Sequence, residues 1–142
     1  MDDDVAPLHR PLLRGRLHQA AFLASLVGLV WLVESAPTPR ARAVAWVYGL
    51  ASALLYLTSS SYHVFATSPK ARRIMQRADH SMIFILIAGT FTPLAVLGVH
   101  GAWKWPALVA VWAGALGGVA FKIFWLDRFP KLGGAMYIIV GW

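Results

Sequence analysis

The sequence predicts an all-α integral membrane protein with four complete transmembrane helices and part of a fifth. Of the 142 residues, 58% are hydrophobic and only 13% are charged, whereas a soluble domain carries about 25% charged residues. A transmembrane helix needs about 20 mostly apolar residues, and the chain contains four such runs and the beginning of another. The length is sufficient for one domain.

A basic N-terminal arm, residues 1–17, precedes the predicted transmembrane domain, residues 18–142. Proline, glycine and basic residues separate the apolar runs, as is typical of turns. The first run is too long for a signal peptide, and no small-residue cleavage site follows it. The helices are predicted over these ranges, of which the last is incomplete: 18–36, 42–66, 80–99, 105–125 and 131–142.

Lysine and arginine residues determine the predicted orientation. They are concentrated in the N-terminal arm, between the second and third runs, and after the fourth run. Because cytoplasmic loops are the basic ones, we expect a multi-pass protein of the inner (plasma) membrane with a cytoplasmic N-terminus. The net charge of +7 then reflects this topology and contacts with anionic membrane lipids, and binding to nucleic acid is not expected.

The chain has no cysteine, which excludes disulfides and thiolate metal sites. Any metal that it binds must therefore use nitrogen and oxygen ligands. Such ligands suit zinc with imidazoles, or a harder ion with carboxylates.

Polar side chains are concentrated at the end of the second run, in LTSSSYHVF. Ser59 precedes His63 by four residues and Tyr56 precedes it by seven, so the three share one face of a helix. Asp79 stands at the entry of the third run, on the same side of the membrane. Ionisable groups at membrane depth are costly and usually functional. We therefore expect a carboxylate, an imidazole and a hydroxyl to meet near the inner interface.

These residues also have structural explanations. Ser60 and Ser61 are expected to bond to carbonyls four residues earlier. Asp79 could cap the third helix, favoured by the helix dipole. His63 could lie among lipid headgroups without a ligand. His18 opens the first run on the same side, and it could approach the site or remain an interfacial residue.

Three further features are expected to serve packing or shape. Pro93 removes a backbone hydrogen bond and predicts a kink, with nearby threonines satisfying the freed backbone. Small residues spaced four apart predict close helix packing; these are Ala110, Gly114 and Gly118. His80 follows Asp79 directly and points about 100° away around the helix, so a supporting or lipid-facing position is expected for it.

Four segments of the chain carry a family resemblance: RGRLHQAAF, SSSYHVF, ADHSMIFILIAGTFTP and FKIFWLDRFPKLGGAMYIIVGW. Together they resemble the hemolysin III branch of the progestin and adipoQ receptor family, over nearly the whole chain. The resemblance implies seven transmembrane helices, a cytoplasmic N-terminus and a zinc ion near the cytoplasmic side.

The resemblance also implies roles for three residues. His63 would be a zinc ligand, Asp79 would hold the water on the zinc, and Ser59 would hydrogen-bond within the site. The other two zinc ligands of the family belong to an H-x-x-x-H motif on the seventh helix, and this sequence has no such motif. We therefore expect a C-terminally truncated member with an incomplete zinc site.

The activity implied by the resemblance is zinc-dependent hydrolysis of a lipid-like amide or ester, with Asp79 and Ser59 as catalytic residues. Zinc would acidify a water, and Asp79 would take its proton. Two alternatives remain open: a cytolytic, pore-forming hemolysin, and an inactive truncated fragment. Because helices would lack partners in a shortened bundle, self-association is also expected.

Overall fold

Residues 15–125 form four long helices joined by short connections. The computed structural model describes residues 15–125 and 137–141, and residues 137–141 are also helical. All four helices are long and apolar enough to cross a membrane, which confirms the predicted all-α integral membrane protein. The helices are α1 (Arg16–Ser35), α2 (Pro39–Phe65), α3 (Pro69–Pro93) and α4 (Lys104–Trp125), and a π-helical turn, Leu94–Gly98, continues α3.

Two helices begin three or more residues earlier than their hydropathy indicated, because each start is capped. The Thr38 hydroxyl accepts a hydrogen bond from the amide of Ala41 at 3.1 Å, and the Ser68 hydroxyl accepts one from Ala71 at 3.1 Å. A proline follows each capping residue at the first helical position, where its fixed φ suits a helix. Helix α2 therefore starts before residue 42.

The early start of α3 has a consequence for Asp79. The basic segment before residue 80 was expected to be a loop, but it forms the first turns of α3. Asp79 therefore lies inside the helix, and the alternative in which it caps the helix is wrong. Hydropathy misses such a segment because charged residues are compatible with a helix that extends beyond the apolar part of the membrane. Most of the predicted arm 1–17 and of the predicted helix 131–142 lies outside the described residues.

Glycines set the contacts between neighbouring helices. An added Cβ at Gly49 of α2 would overlap the Leu29 side chain of α1, and one at Gly89 of α3 would lie 2.6 Å from the Ala51 Cβ. Successive helices run antiparallel, so these contacts fix how far each helix is shifted along its neighbour. This register determines which polar residues share a level in the membrane.

The best-packed part of the bundle lies between α3, α4 and residues 137–141. Phe84, Ala88 and Ala115 have no exposed surface. Partly buried side chains pack around them: Val111, Trp112, Val119, Tyr137 and Val140.

The predicted stripe of small residues on α4 is used in part. An added Cβ at Gly118 would lie 2.5 Å from the Phe84 ring, and one at Gly114 would lie 3.4 Å from Val140, whereas Ala110 is exposed. Close packing is therefore confirmed at two of the three positions.

Helix α3 changes geometry at Pro93, where the α-helix ends and the π-helical turn begins. The Thr90 hydroxyl donates to the Leu86 carbonyl and the Thr92 hydroxyl to the Ala88 carbonyl, both at 2.7 Å. Pro93 leaves the Gly89 carbonyl without its usual backbone donor. The two threonines bond to neighbouring carbonyls and not to that one. Thr92 also accepts a hydrogen bond from Trp112 Nε1 of α4 at 3.1 Å, so it ties two helices together.

Candidate functional site at the His63 end of the bundle

Helices α1 and α2 bring two imidazoles together. The ring centroids of His18 and His63 are 5.6 Å apart, with a 55° angle between the ring planes. Tyr56 lies 6.2 Å from His18, and Tyr62 lies 5.0 Å from His63, again between ring centroids. His18 was expected either to approach the predicted site or to remain an interfacial residue. The structure shows the first of these positions.

A glycine makes this approach possible. Gly15, just before α1, has φ of 98°, a conformation that residues with a Cβ rarely adopt. An added Cβ there would lie 3.0 Å from the His63 Cβ. Because the chain enters α1 so close to α2, His18 lies less than one turn further along and faces the same part of α2.

The helix register places the predicted site residues on nearby levels. Gly89 of α3 contacts α2 around Gly49. Asp79 is ten residues from Gly89 in α3, and Ser59 is ten residues from Gly49 in α2. Both lie toward the same end of the bundle. Asp79 is therefore level with Ser59, and His63 is about 6 Å, or one helical turn, nearer the end.

His18 of α1 lies on this level too. Leu29 of α1 packs on Gly49 of α2. His18 is eleven residues from Leu29, and Ser60 is eleven residues from Gly49, again toward the end that carries His63. The three helices thus carry His18, Ser59 and Asp79 at one depth.

The burial of these residues differs. Ser59 is almost fully buried, with 4% of its surface exposed, and Asp79 is half-buried. His18 Nδ1 is buried and has no hydrogen-bond partner within the described ranges. The next serine, Ser60, donates to the Leu57 carbonyl at 3.0 Å, three residues back rather than the four expected. Its backbone role is thereby confirmed.

An apolar groove of about 580 Å³ runs between α1, α2 and α3. Two serines of the groove donate to backbone carbonyls, Ser25 to Phe22 at 2.7 Å and Ser52 to Tyr48 at 3.0 Å. Tyr56 lines the groove and also contacts His18. The groove therefore reaches the histidine pair.

A second polar cluster lies on the other side of α3. Lys122 of α4 has only 3% of its surface exposed, and its Nζ lies 4.8 Å from the centroid of the Tyr137 ring. The Tyr137 hydroxyl donates to the His80 carbonyl at 3.0 Å. His80 is half-buried, so the alternative of a supporting position describes it better than a lipid-facing one.

The sequence did not predict the burial of Lys122, because lysine is among the residues that are rarely buried. The available signal was its setting in FKIFW, where apolar residues flank it on both sides. In the structure, the ring of Tyr137 lies against its ammonium group.

Comparison with known proteins decides the family. Residues 6–142 match the family described as "Haemolysin-III related". The chain belongs to the hemolysin III family. This confirms the resemblance seen in the sequence.

Two curated relatives of the hemolysin III chain are similar over most of its length. It is 38% identical over 128 residues to Hemolysin-3 of Bacillus cereus, covering 88% of this chain and 58% of the relative. It is 37% identical over 131 residues to a Hemolysin-3 homolog of Bacillus subtilis (strain 168), covering 88% of this chain and 60% of that protein. The chain thus spans about three-fifths of these relatives. No solved structure matches it.

The described residues of this hemolysin III chain fit part of a zinc site. Zinc is bound by three or four protein ligands, and residues 15–125 and 137–141 contain no group of three histidines or acidic residues placed to hold a metal ion. They do contain two adjacent imidazoles, His18 and His63, and an orphaned ring nitrogen on His18. These are suitable ligands for a nitrogen-preferring ion, and a complete zinc site would need at least one more ligand.

Proposed function

We propose that this hemolysin III chain forms part of a metal-dependent membrane hydrolase that cleaves a lipid-like amide or ester. One observation carries the proposal: the apolar groove between α1, α2 and α3 and the histidine pair share Tyr56. A lipid hydrolase needs such an arrangement, because the acyl chain must lie in an apolar site while the polar bond lies beside the reacting groups. The groove volume is within the usual range for ligand sites.

The proposal assigns a role to each residue of the site. His63 is a metal ligand, and zinc, when bound, makes water more acidic. Asp79 accepts the proton of the attacking water as a general base. Ser59, which is buried on the same level, donates a hydrogen bond within the site and keeps the reacting groups in place.

The proposed location of the site is the cytoplasmic side of the inner membrane. The first turns of α3 carry four basic residues: Lys70, Arg72, Arg73 and Arg77. Basic segments next to membrane spans remain in the cytoplasm and attract anionic lipids. The amide or ester bond of a lipid-like substrate, which lies just below the headgroup, would be at the depth of Asp79 and Ser59.

Metal analysis and lipid turnover test this function together. The purified 142-residue chain, loaded with zinc in detergent, is assayed for its metal content and for cleavage of a fluorescent lipid amide and a lipid ester. We expect His63→Ala to lower both quantities and Asp79→Asn to lower turnover alone. His100→Ala is the control, because that histidine is exposed beyond the far end of α3. Equal metal content and turnover in wild type and His63→Ala would refute the proposal.

Membrane lysis is the second candidate, because both relatives carry the name Hemolysin-3. A pore needs a polar surface along its helices, but the exposed face of α1 is apolar, as at Leu23, Val27 and Trp31. We therefore expect no dye release from liposomes at a high protein-to-lipid ratio. Release that increases with the amount of protein would favour the lytic activity.

A further inference from the structure

We propose that His18 and His63 form a two-imidazole site for a divalent cation, in which α1 contributes a ligand. This inference rests on the proposed assignment of His63 to a cation. It adds a residue to which the family resemblance gives no role.

The distance between the two rings suits a shared ion. A zinc–nitrogen bond is about 2.0–2.1 Å long, and a ring nitrogen lies about 1.1 Å from its ring centroid. Two imidazoles on one tetrahedral ion therefore have centroids roughly 5 Å apart. The observed separation of His18 and His63 is 5.6 Å, so only a small adjustment is needed.

The relative orientation of the rings and the unpartnered nitrogen support the same assignment. The planes are tilted by 55°, so the two rings are splayed rather than stacked. His18 Nδ1 is buried without a hydrogen-bond partner within residues 15–125 and 137–141. A buried polar atom needs such a partner, and a cation held between the rings would satisfy it.

Aromatic packing is the competing explanation. Tyr56 and Tyr62 contact the histidine rings, and an aromatic cluster needs no ion. Packing explains why rings occupy these positions, but it does not explain a buried nitrogen without a partner. Phenylalanine at position 18 separates the two explanations, because it keeps a ring and removes the nitrogen.

The ligand type predicts which ions bind. Imidazoles favour zinc, copper, nickel and cobalt, whereas magnesium and calcium prefer oxygen ligands. Copper should bind more tightly than zinc or cobalt, following the usual order of divalent affinities. Magnesium should not compete.

The test uses the purified 142-residue chain in detergent, titrated with cobalt as a spectroscopic probe and with zinc by calorimetry. The variants are His18→Phe and His63→Phe, with His100→Phe as the matched control in an exposed connection. We expect one ion per chain in wild type and in the control. Each site variant should lose at least about tenfold in affinity, since even the loss of a group that supports a metal ligand costs about 10–100-fold, and circular dichroism should show unchanged helix content.

The outcomes distinguish this inference from the proposed function. If His18→Phe binds zinc like wild type while His63→Phe does not, His18 is no ligand and the proposed function stands. If both variants bind like wild type, both proposals are wrong. If His18→Phe fails to fold, wild-type protein still provides an answer. Zinc should protect His18 from modification by diethyl pyrocarbonate, and unchanged modification would overturn the inference.

Discussion

The ammonium group of Lys122 lies 4.8 Å from the centroid of the Tyr137 ring, in a position where only 3% of the lysine surface is exposed. This contact links the last turn of α4 to residues 137–141. The same tyrosine is hydrogen-bonded to α3 through the His80 carbonyl. Tyr137 therefore connects three segments of the bundle, and a lysine that would otherwise be costly to bury is part of the connection.

Replacing Lys122 with methionine should stabilise the protein by about 1 kcal/mol. A cation–π contact is worth about 0.5–2 kcal/mol, whereas a lysine in the membrane interior costs up to about 2.5–3.5 kcal/mol. Its place in the last turn of α4 keeps the cost below that limit. The measurement is SDS-induced unfolding in mixed micelles, with Lys104→Met at the other end of α4 as control. A clear loss of stability in Lys122→Met would show that the contact with Tyr137 outweighs the cost of burying the ammonium.

Removing the hydroxyl of Tyr137 should destabilise the bundle by about 1 kcal/mol, the usual net value of one hydrogen bond. Tyr137→Phe loses the bond to the His80 carbonyl but keeps the ring, whose centroid lies 4.6 Å from that of Phe84. The same unfolding assay measures the change, with Tyr48→Phe of α2 as the matched control. An unchanged midpoint would mean that the hydroxyl bond contributes nothing to stability.

Adding a methyl group at Gly118 should cost about 1–3 kcal/mol, the usual range for overpacking. The new Cβ would lie 2.5 Å from the ring of Phe84, which is completely buried and has no room to move away. The neighbouring Gly117 provides the control, because nothing lies within 4 Å of its added Cβ. Gly117→Ala should leave stability unchanged or raise it by up to about 1 kcal/mol through helix propensity. Equal effects of the two substitutions would contradict the close contact.

Breaking the bond between Thr92 and Trp112 should weaken the contact between α3 and α4. Thr92→Val leaves the Trp112 Nε1–H without the acceptor that it has at 3.1 Å. Hydrogen bonds between membrane helices are worth about 0.6 kcal/mol on average and about 1.7 kcal/mol at most. Thr90→Val is the control, since that hydroxyl bonds only within α3, to Leu86, and its side chain is exposed. A loss of the same size in both variants would show that the bond between helices adds nothing.

The sequence by itself determined the four apolar helices of residues 15–125, because hydropathy over about 20 residues is a local property that does not depend on neighbours. It also determined that Ser59 and His63 share a face of α2, since helical periodicity fixes that relation. The family was predictable for the same kind of reason, because the segments that carry it are continuous in the chain. The start of α3 was also locally encoded, in Ser68 and Pro69, but hydropathy does not register capping residues.

Only the tertiary structure decided which residues of different helices meet. His18 faces His63 because Gly15 allows close contact and because α1 is shifted on α2 by the packing of Leu29 on Gly49. Lys122 is buried with its ammonium group against the ring of Tyr137, although its charge alone suggests a surface position. These relations depend on how far one helix is shifted along another, and side chains distant in sequence determine that shift.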